Sequence, residues 1–440
     1  MALTASAGAS SGSIVRNRWV QLIFGILGMV MIANLQYGWT LFVNPIDAKY
    51  KFGLASIQVA FSIFVLFETW LVPFEGYLVD RFGPGLIVAV GGVLVAVAWL
   101  INASANSLLL LYVGGAIGGI GAGIVYGTAA GNALKWFPDH RGLAAGLTAA
   151  GFGAGSALTV VPIANMIGAS GYESAFVTFG LIQGVGVLVA AAVLRAPRVG
   201  EVVVAQIRLA QVRRDFTPGQ MLKTPVFWTL YLMMTLVGMG GLMATAQLGP
   251  IAKDFKVDQT PVSLLWISMA ALPFALSLDR IMNGLTRPIS GWISDRIGRE
   301  RTMTVMFGVQ AVTIVLLVMT AANPLLFVIM SGLAFFSWGE IYSLFPAISG
   351  DLFGRQFATT NYGLLYTAKG TASLLVPIGN ILQVATGSWL PIFVVAFVFN
   401  AVASLMAAFV LPRLTRAHIE HAATAGAAPA FMPAVAGGSQ

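Results

Sequence analysis

The chain has 440 residues, of which 58% are hydrophobic and only 9% are charged; soluble domains carry roughly 25% charged residues, so most of this surface must face lipid. With no cysteine and only His140, His418 and His421, none of them in an apolar run, disulfides, thiol chemistry and a histidine metal centre are excluded. The formal net charge of +8 resides mostly in short loops between apolar runs, which is a membrane-topology pattern and argues against a nucleic-acid partner.

Residues 1–15 open with MALTASAGASSGS and lack the charged start of a signal peptide, so a disordered N-terminus is expected. A membrane-spanning helix needs about 20 mostly apolar residues. In an N-terminal half, 16–195, such runs occur at 19–43, 54–79, 86–104, 107–134, 143–168 and 174–195. They are too long and too evenly apolar for barrel strands, which alternate over about ten residues. Within the fourth run, YVGGAIGGIGAGIVYG (112–127) sets glycines at 115, 119, 123 and 127, a stripe of small residues that lets helices approach closely. The polar stretch 196–225 carries Arg198, Arg208, Arg213 and Arg214 and is expected to lie along the cytoplasmic membrane surface. A C-terminal half, 226–415, repeats the pattern at 226–250, 264–293, 303–321, 324–350, 360–385 and 389–411. The tail, 416–440, ending AATAGAAPAFMPAVAGGSQ, is expected to be disordered. The fold class is an all-α membrane protein with 12 transmembrane helices in two pseudo-symmetric six-helix halves.

Charge gives the orientation. If both termini share a side with the loops joining even to odd spans, that side holds 17 of the 24 Lys and Arg residues, and the opposite loops hold four, Lys49, Lys51, Lys253 and Lys256. This bias places both termini in the cytoplasm. The sequence also repeats: GYLVDRFGPG (76–85) follows span 2, and GWISDRIGRE (291–300) follows span 8, half a chain later. Both read G-x-x-x-D-R-x-G. Two related halves of this kind rock around a midplane site. Asp80 and Asp295 fall at span ends beside Arg81 and Arg296 and near Arg141 and Arg355. These charges read either as a latch on a cytoplasmic gate, the favoured reading, or as ordinary interfacial topology charge.

Seven ionisable groups fall inside spans: Glu68, Glu75, Asp279, Arg280, Arg287, Glu340 and Lys369. A charge at the bilayer centre costs about 2.5–3.5 kcal/mol on insertion scales, so such groups face a partner or a watery cavity. Lys369 lies about 14 Å into span 11 at the helical rise, too deep to reach an interface easily, and Arg287 about 10 Å into span 8. Converging on one cavity, these two cations suit a small carboxylate, with Arg offering a bidentate fork and Lys a compact point charge. The alternative is structural pairing with Glu68, Asp279 or Glu340, since four acids stand against three bases. Arg280, nearly on the face of Arg287, is expected to be paired structurally with Glu68 or Glu340. Gln36, Tyr37, Tyr126, Trp338, Tyr342 and Tyr366 accompany these charges, and aromatic rings can wall a small cavity while offering a hydroxyl or N–H.

The two D-R-x-G loops and the twelve spans resemble the major facilitator superfamily over about residues 16–415. More narrowly, QYGWTLFVNP (36–45), GIVYG (123–127), KWFPDHRGLAAGLTAAGFGAG (135–155), NGLTRPISGWISDRIGR (283–299), FFSWGEIYSLFP (335–346) and NYGLLYTAKGTAS (361–373) resemble the bacterial oxalate/formate antiporters. That resemblance implies oxalate held by Arg287 and Lys369 within a cage that includes Tyr37, Tyr126, Trp338 and Tyr342. A cage tryptophan of the family falls at Tyr366 and a cage tyrosine at Phe152. Glu340 stands where the family's best-known member has glycine, and Glu68 and the pair Asp279–Arg280 are further departures. These added acids lower the charge of a cationic site and raise proton coupling through Glu340 or Glu68.

No G-x-x-x-x-G-K-[S/T] fingerprint for ATP occurs, and no catalytic triad or metal constellation is visible. The expectation is a secondary transporter of small carboxylates, exchanging oxalate for formate by alternating access, without cofactor. It is expected to be monomeric in a bacterial inner membrane, with Arg287 and Lys369 unpaired until cargo arrives. The rival expectation is a proton-coupled monocarboxylate symporter.

Overall fold

The computed structural model describes residues 17–198, 200–202, 211–212, 214–264, 266–374, 382 and 385–426. Among these, eight helices are long and apolar enough to cross a membrane, and one bent pair makes a ninth. Helices Arg141–Ser170, Ala271–Ile297 and Ala358–Leu374 complete the twelve. Spans 3 (Pro84–Ser104), 6 (Tyr172–Val193), 9 (Arg299–Thr320) and 12 (from Leu390) turn apolar rows outward. Val93 and Val97, Val185 and Val189, and Val394 and Val398 are exposed four residues apart, one helix face each. Such rows fit a lipid-facing coat.

Several spans are broken. Span 1 runs Arg18–Tyr37, loosens at Gly38, and resumes as Thr40–Tyr50. Span 2 consists of Leu54–Trp70 and Val72–Phe82, bent by 44°; Pro73, early in its second piece, cannot donate a backbone hydrogen bond across the join. Span 10 breaks at Glu340 between Pro324–Gly339 and Ile341–Phe353. Span 4 (Leu108–Trp136) seats span 2 through the glycine stripe. A side chain at Gly115 would strike the Ala60 carbonyl, one at Gly119 the Phe64 carbonyl, and one at Gly123 the Glu68 carbonyl and the Glu75 carboxyl. The stripe therefore sets how far Glu68 and Glu75 sit from the molecular centre.

The expected run 264–293 does not begin as a helix. Pro261–Leu264 and Ile267–Ala270 form a two-stranded antiparallel hairpin, and span 8 starts at Ala271. Span 7 is Pro225–Asp254. The C-terminal chain departs from the expected disorder: after a π-helical turn at Met406–Val410, a helix continues over Leu411–Gly426. It is held there by His418, whose ring nitrogen lies 2.9 Å from the Leu352 carbonyl, and by the contact of that ring with Phe216. The remaining tail and residues 1–15 lie outside the described residues, as do Arg208 and Arg213 of the linker. Elsewhere the linker donates Val212 N–H to the Asp351 carbonyl and Phe216 N–H to that of Phe353, strapping it to the end of span 10.

The halves meet where span 5 (Arg141–Ser170) packs on span 8 and span 2 on span 11. At the face rich in Lys and Arg they are closed by a two-fold arrangement. Asp80 accepts from the Thr360 N–H (3.0 Å) and hydroxyl (2.7 Å) at the start of span 11. Asp295 accepts from the N–H groups of Gly142 (3.0 Å) and Leu143 (2.9 Å) at the start of span 5. Each motif aspartate thus caps a helix N-terminus of the opposite half, where backbone N–H groups and the helix dipole favour an anion. The cations differ. Asp295 pairs with Arg299 (2.5 Å), four residues on, while Asp80, with Pro84 at that position, takes Lys135 from span 4 (2.5 Å). Arg141 crosses to Asp351 (2.8 Å), which also holds Arg299 (2.8 Å). Arg355 donates to the Lys135 carbonyl at 2.6 Å.

Two expected latch residues lie elsewhere. Arg81 and Arg296 are exposed and turned to rings of their own helices, Phe82 and Trp292. Lys135, Arg299, Asp351 and Thr360 supply the partners instead. Asp351→Asn would leave Arg141 and Arg299, both under 5% exposed, without their shared counterion. Breaking a buried pair costs about 3–5 kcal/mol, so this variant is expected to lower the thermal unfolding midpoint of the purified protein clearly, whereas Arg81→Ala leaves it unchanged.

Candidate functional site

Between the halves, above the latch, the expected aromatic residues form one continuous chain of ring contacts. Tyr37 meets Phe152 (5.2 Å between centroids), Phe152 meets Tyr126 (5.3 Å), and Tyr126 stacks on Tyr366 (4.7 Å). Tyr366 then meets Tyr342 (6.5 Å), and Tyr342 meets Trp338 (5.7 Å). Spans 1, 4, 5, 10 and 11 each contribute, so the chain belongs to both halves.

Both deep cations stand against this wall. The Arg287 guanidinium lies 4.5 Å from the Tyr342 ring centre and the Lys369 ammonium 5.9 Å from the same centre. Lys369 also lies 5.2 Å from the Tyr366 ring and 6.0 Å from that of Phe152. The aromatic faces attract these cations. The two groups the sequence placed at depth are therefore brought together, with one tyrosine between them.

Their partners differ. Arg287, 1% exposed, donates Nη1 to the Ala149 carbonyl and Nη2 to Asn283 Oδ1, both at 2.7 Å. It makes no salt bridge among the described residues, and its Nε has no hydrogen-bond partner. Its place is set by span 5: a side chain at Gly146 would collide with its carbonyl, and Gly153 leaves room beside the guanidinium. Lys369, in contrast, is not unpaired as expected. It stands 3.3 Å from Glu68 Oε2 and 3.4 Å from Oε1, with the Tyr366 hydroxyl at 3.0 Å. Glu68, on the opposite half, is fully buried.

A partly open cavity of about 80 Å³ adjoins Arg287 through Asn283. Gln36, Tyr37, Trp338, Tyr342, Asp279 and Arg280 are among its walls. Among the described residues, Trp338 Nε1 and Gln36 Oε1 are buried there without hydrogen-bond partners. Arg280 is not paired with Glu68 or Glu340; it lies 4.8 Å from the Tyr37 ring centre on the cavity wall, beside Asp279, which also neighbours Ser331. Glu340 is fully buried at the break of span 10, and neither of its carboxyl oxygens has a hydrogen-bond partner among the described residues. Glu75, seven residues beyond Glu68, is buried in the same condition. Asn283 and Tyr362, whose ring packs on Tyr366 at 5.5 Å, are members that sequence reading did not single out. The spacing 283/287, one helical turn, is the signal by which Asn283 could have been found. No group of three or more potential metal ligands occurs among the described residues.

Chemically, the arrangement offers unspent donors, Arg287 Nε and Trp338 Nε1, beside an aromatic wall, with a second cation whose acid partner comes from the opposing half. Buried donors without partners are costly, and a carboxylate would satisfy them.

Comparison with known proteins agrees with this architecture. The family model described as Major Facilitator Superfamily matches residues 25–377 and 274–436. The oxalate:formate antiporter of Oxalobacter formigenes is 36% identical over 413 residues, covering 93% of this chain and 95% of its own length. Monocarboxylate transporter 13 of Bos taurus is 22% identical, covering 87% of this chain and 86% of its own. Among solved structures, a proton:xylose symporter superposes with a TM-score of 0.71 at 13% identity, covering 90% of this chain and 96% of its own, a likeness of fold alone. With its twelve spans, its paired D-R-x-G loops and two deep cations set against an aromatic wall shared by its halves, the chain belongs to the major facilitator superfamily and is a multi-pass membrane transporter rather than an enzyme.

Proposed function

We propose that the protein carries small carboxylates by alternating access, with oxalate exchanged for formate, across a bacterial inner membrane with both termini in the cytoplasm. The observation that carries this reading is Arg287: a fully buried guanidinium without an acid, an unspent Nε, and a wall of rings beside it. A planar carboxylate matches the guanidinium fork. The 36% identity to a protein named for oxalate and formate supports the substrate class.

The cycle follows from the charges. Lys369 is held by Glu68 across the interface and Arg287, among the described residues, by neutral oxygens only. A carboxylate that bridges the two cations neutralises Arg287 and competes with Glu68 for Lys369. A buried cation without a counterion is unfavourable, so a carboxylate at Arg287 stabilises the closed form over the open one. That favours exchange over empty return. Energy comes from the substrate gradients.

A second reading, a proton-coupled monocarboxylate carrier, is favoured by the Glu68–Lys369 pair, in which an acid already occupies the lysine. Counterflow in proteoliposomes separates the two: exchange that persists with the proton gradient clamped at zero identifies an exchanger, and uptake that requires an imposed pH step identifies a symporter.

Three outcomes are expected. Arg287→Gln and Lys369→Gln each reduce oxalate counterflow by two orders of magnitude or more while the protein still inserts, since a charged hydrogen bond of about 1.5–3 kcal/mol is lost along with the neutralisation that permits closure. Lys369→Arg also fails, because a branched planar group cannot take the place of a point charge between Glu68 and Tyr366; wild-type rates in any well-folded member of this set would refute the assignment. For orientation, the native absence of cysteine permits single-site labelling: in intact cells an impermeant maleimide is expected to modify Lys51→Cys and to spare Arg301→Cys.

A further inference from the structure

The resting charge of the chamber matters for what it can carry. Arg287, Lys369 and Glu68 together leave one positive charge, enough for a monoanion. A dianion would turn the same closed chamber net negative. Unscreened charge in a dry interior is costly, and here one group can absorb the difference: Glu68, fully buried and 3.3 Å from Lys369.

We propose that this carrier loads a dicarboxylate dianion together with one proton on Glu68, and a monocarboxylate without it, so that exchange of one for the other moves no net charge. The proposal rests on the carboxylate reading given above and adds its ion coupling. On loading, an oxygen of the dianion takes the place of Glu68 beside Lys369. The freed Glu68 carboxylate binds a proton from water on the loading side. On release, the proton leaves Glu68, which returns to the lysine. No bond other than the O–H of Glu68 is made or broken. Oxalate with one proton and formate without one each carry a single negative charge.

The surroundings of Glu68 fit this role. From span 11 it faces Lys369, backed by Tyr366; from span 4, Tyr126; from span 10, Tyr342; and along its own span, Glu75. Glu75 lies beyond the bend of span 2, toward the Asp80 latch, and is the next protonatable group in that direction. Glu75, Glu340, Asp279 and Arg280 make no salt bridge among the described residues, and they are common to both loads, so they cancel in the difference. Lys369 is the one cation whose partner changes.

The experiment uses the purified full-length protein in proteoliposomes loaded with formate, with labelled oxalate outside, a trapped pH dye inside, and the membrane potential set by valinomycin and potassium. The expected result is internal acidification at a ratio of about one proton per oxalate, and a gradient-limited distribution that does not respond to potential. Transfer of one net charge would instead shift that distribution about 50-fold for about 100 mV. Such a shift, with no proton movement but active exchange, overturns the proposal and leaves the carboxylate reading standing. Absence of exchange with either anion overturns the carboxylate reading itself. In Glu68→Gln the proton ratio of the residual exchange is expected to fall to near zero, whereas Glu75→Gln retains it. A ratio lost in Glu75→Gln but kept in Glu68→Gln would remove Glu68 from the role. The wild-type ratio and potential response decide the coupling even where a variant is inactive.

Discussion

A charge inside a membrane protein is held by a partner or by a watery cavity, and the pair formed by Lys369 and Glu68 organises much of this molecule. The lysine belongs to one half and the glutamate to the other, so the bond that satisfies them also holds the halves together at their centre. Arg287 lies on the same tyrosine as Lys369 but has only neutral oxygens for company. One cation has an acid partner and the other has none among the described residues, and under the carboxylate reading proposed above a cargo that reaches both must disturb the first to satisfy the second. Binding and the coupling of the halves are then a single event.

The backbone is shaped to hold this pair. Glycines 115, 119 and 123 let span 2 lie directly on span 4, which fixes the depth of Glu68, and Gly146 does the same for Arg287 between spans 5 and 8. The bend after Trp70 divides Glu68 from Glu75, and the break at Glu340 turns Tyr342 toward both cations. Helix breaks free backbone groups and concentrate near functional sites in membrane carriers. Here they fall within a turn of ionisable side chains on two of the spans that meet at the centre.

Much of this was legible in the chain itself. Twelve apolar runs, the repeated D-R-x-G and the depth of Arg287 and Lys369 follow from length and charge, which any membrane enforces. Pairing was not legible, because it depends on helix rotation and on bends. Four acids faced three bases, and only the packing of span 2 against span 11 decides that Glu68 takes Lys369 while Arg280 turns to Tyr37. The ionic closure at the basic face was half legible for the same reason. Asp80 and Asp295 were evident from the repeat, but their adjoining arginines point away, and the working cations come from Lys135 on another helix and Arg299 one turn later. The hairpin at 261–270 was hidden because a short apolar run reads alike as strand or helix.

The closure at the basic face is built from ions and helix ends rather than from oily surfaces. Apolar contacts, once parted, would meet water at a steep cost; carboxylates, guanidiniums and bare N–H groups are solvated readily. Dissolved electrolyte stabilises such groups when they are free more than when they are buried against one another. The stability of this closure is therefore tied to the ionic strength of the compartment that bathes this face, and concentrated salt would weaken it whatever occupies the centre of the molecule.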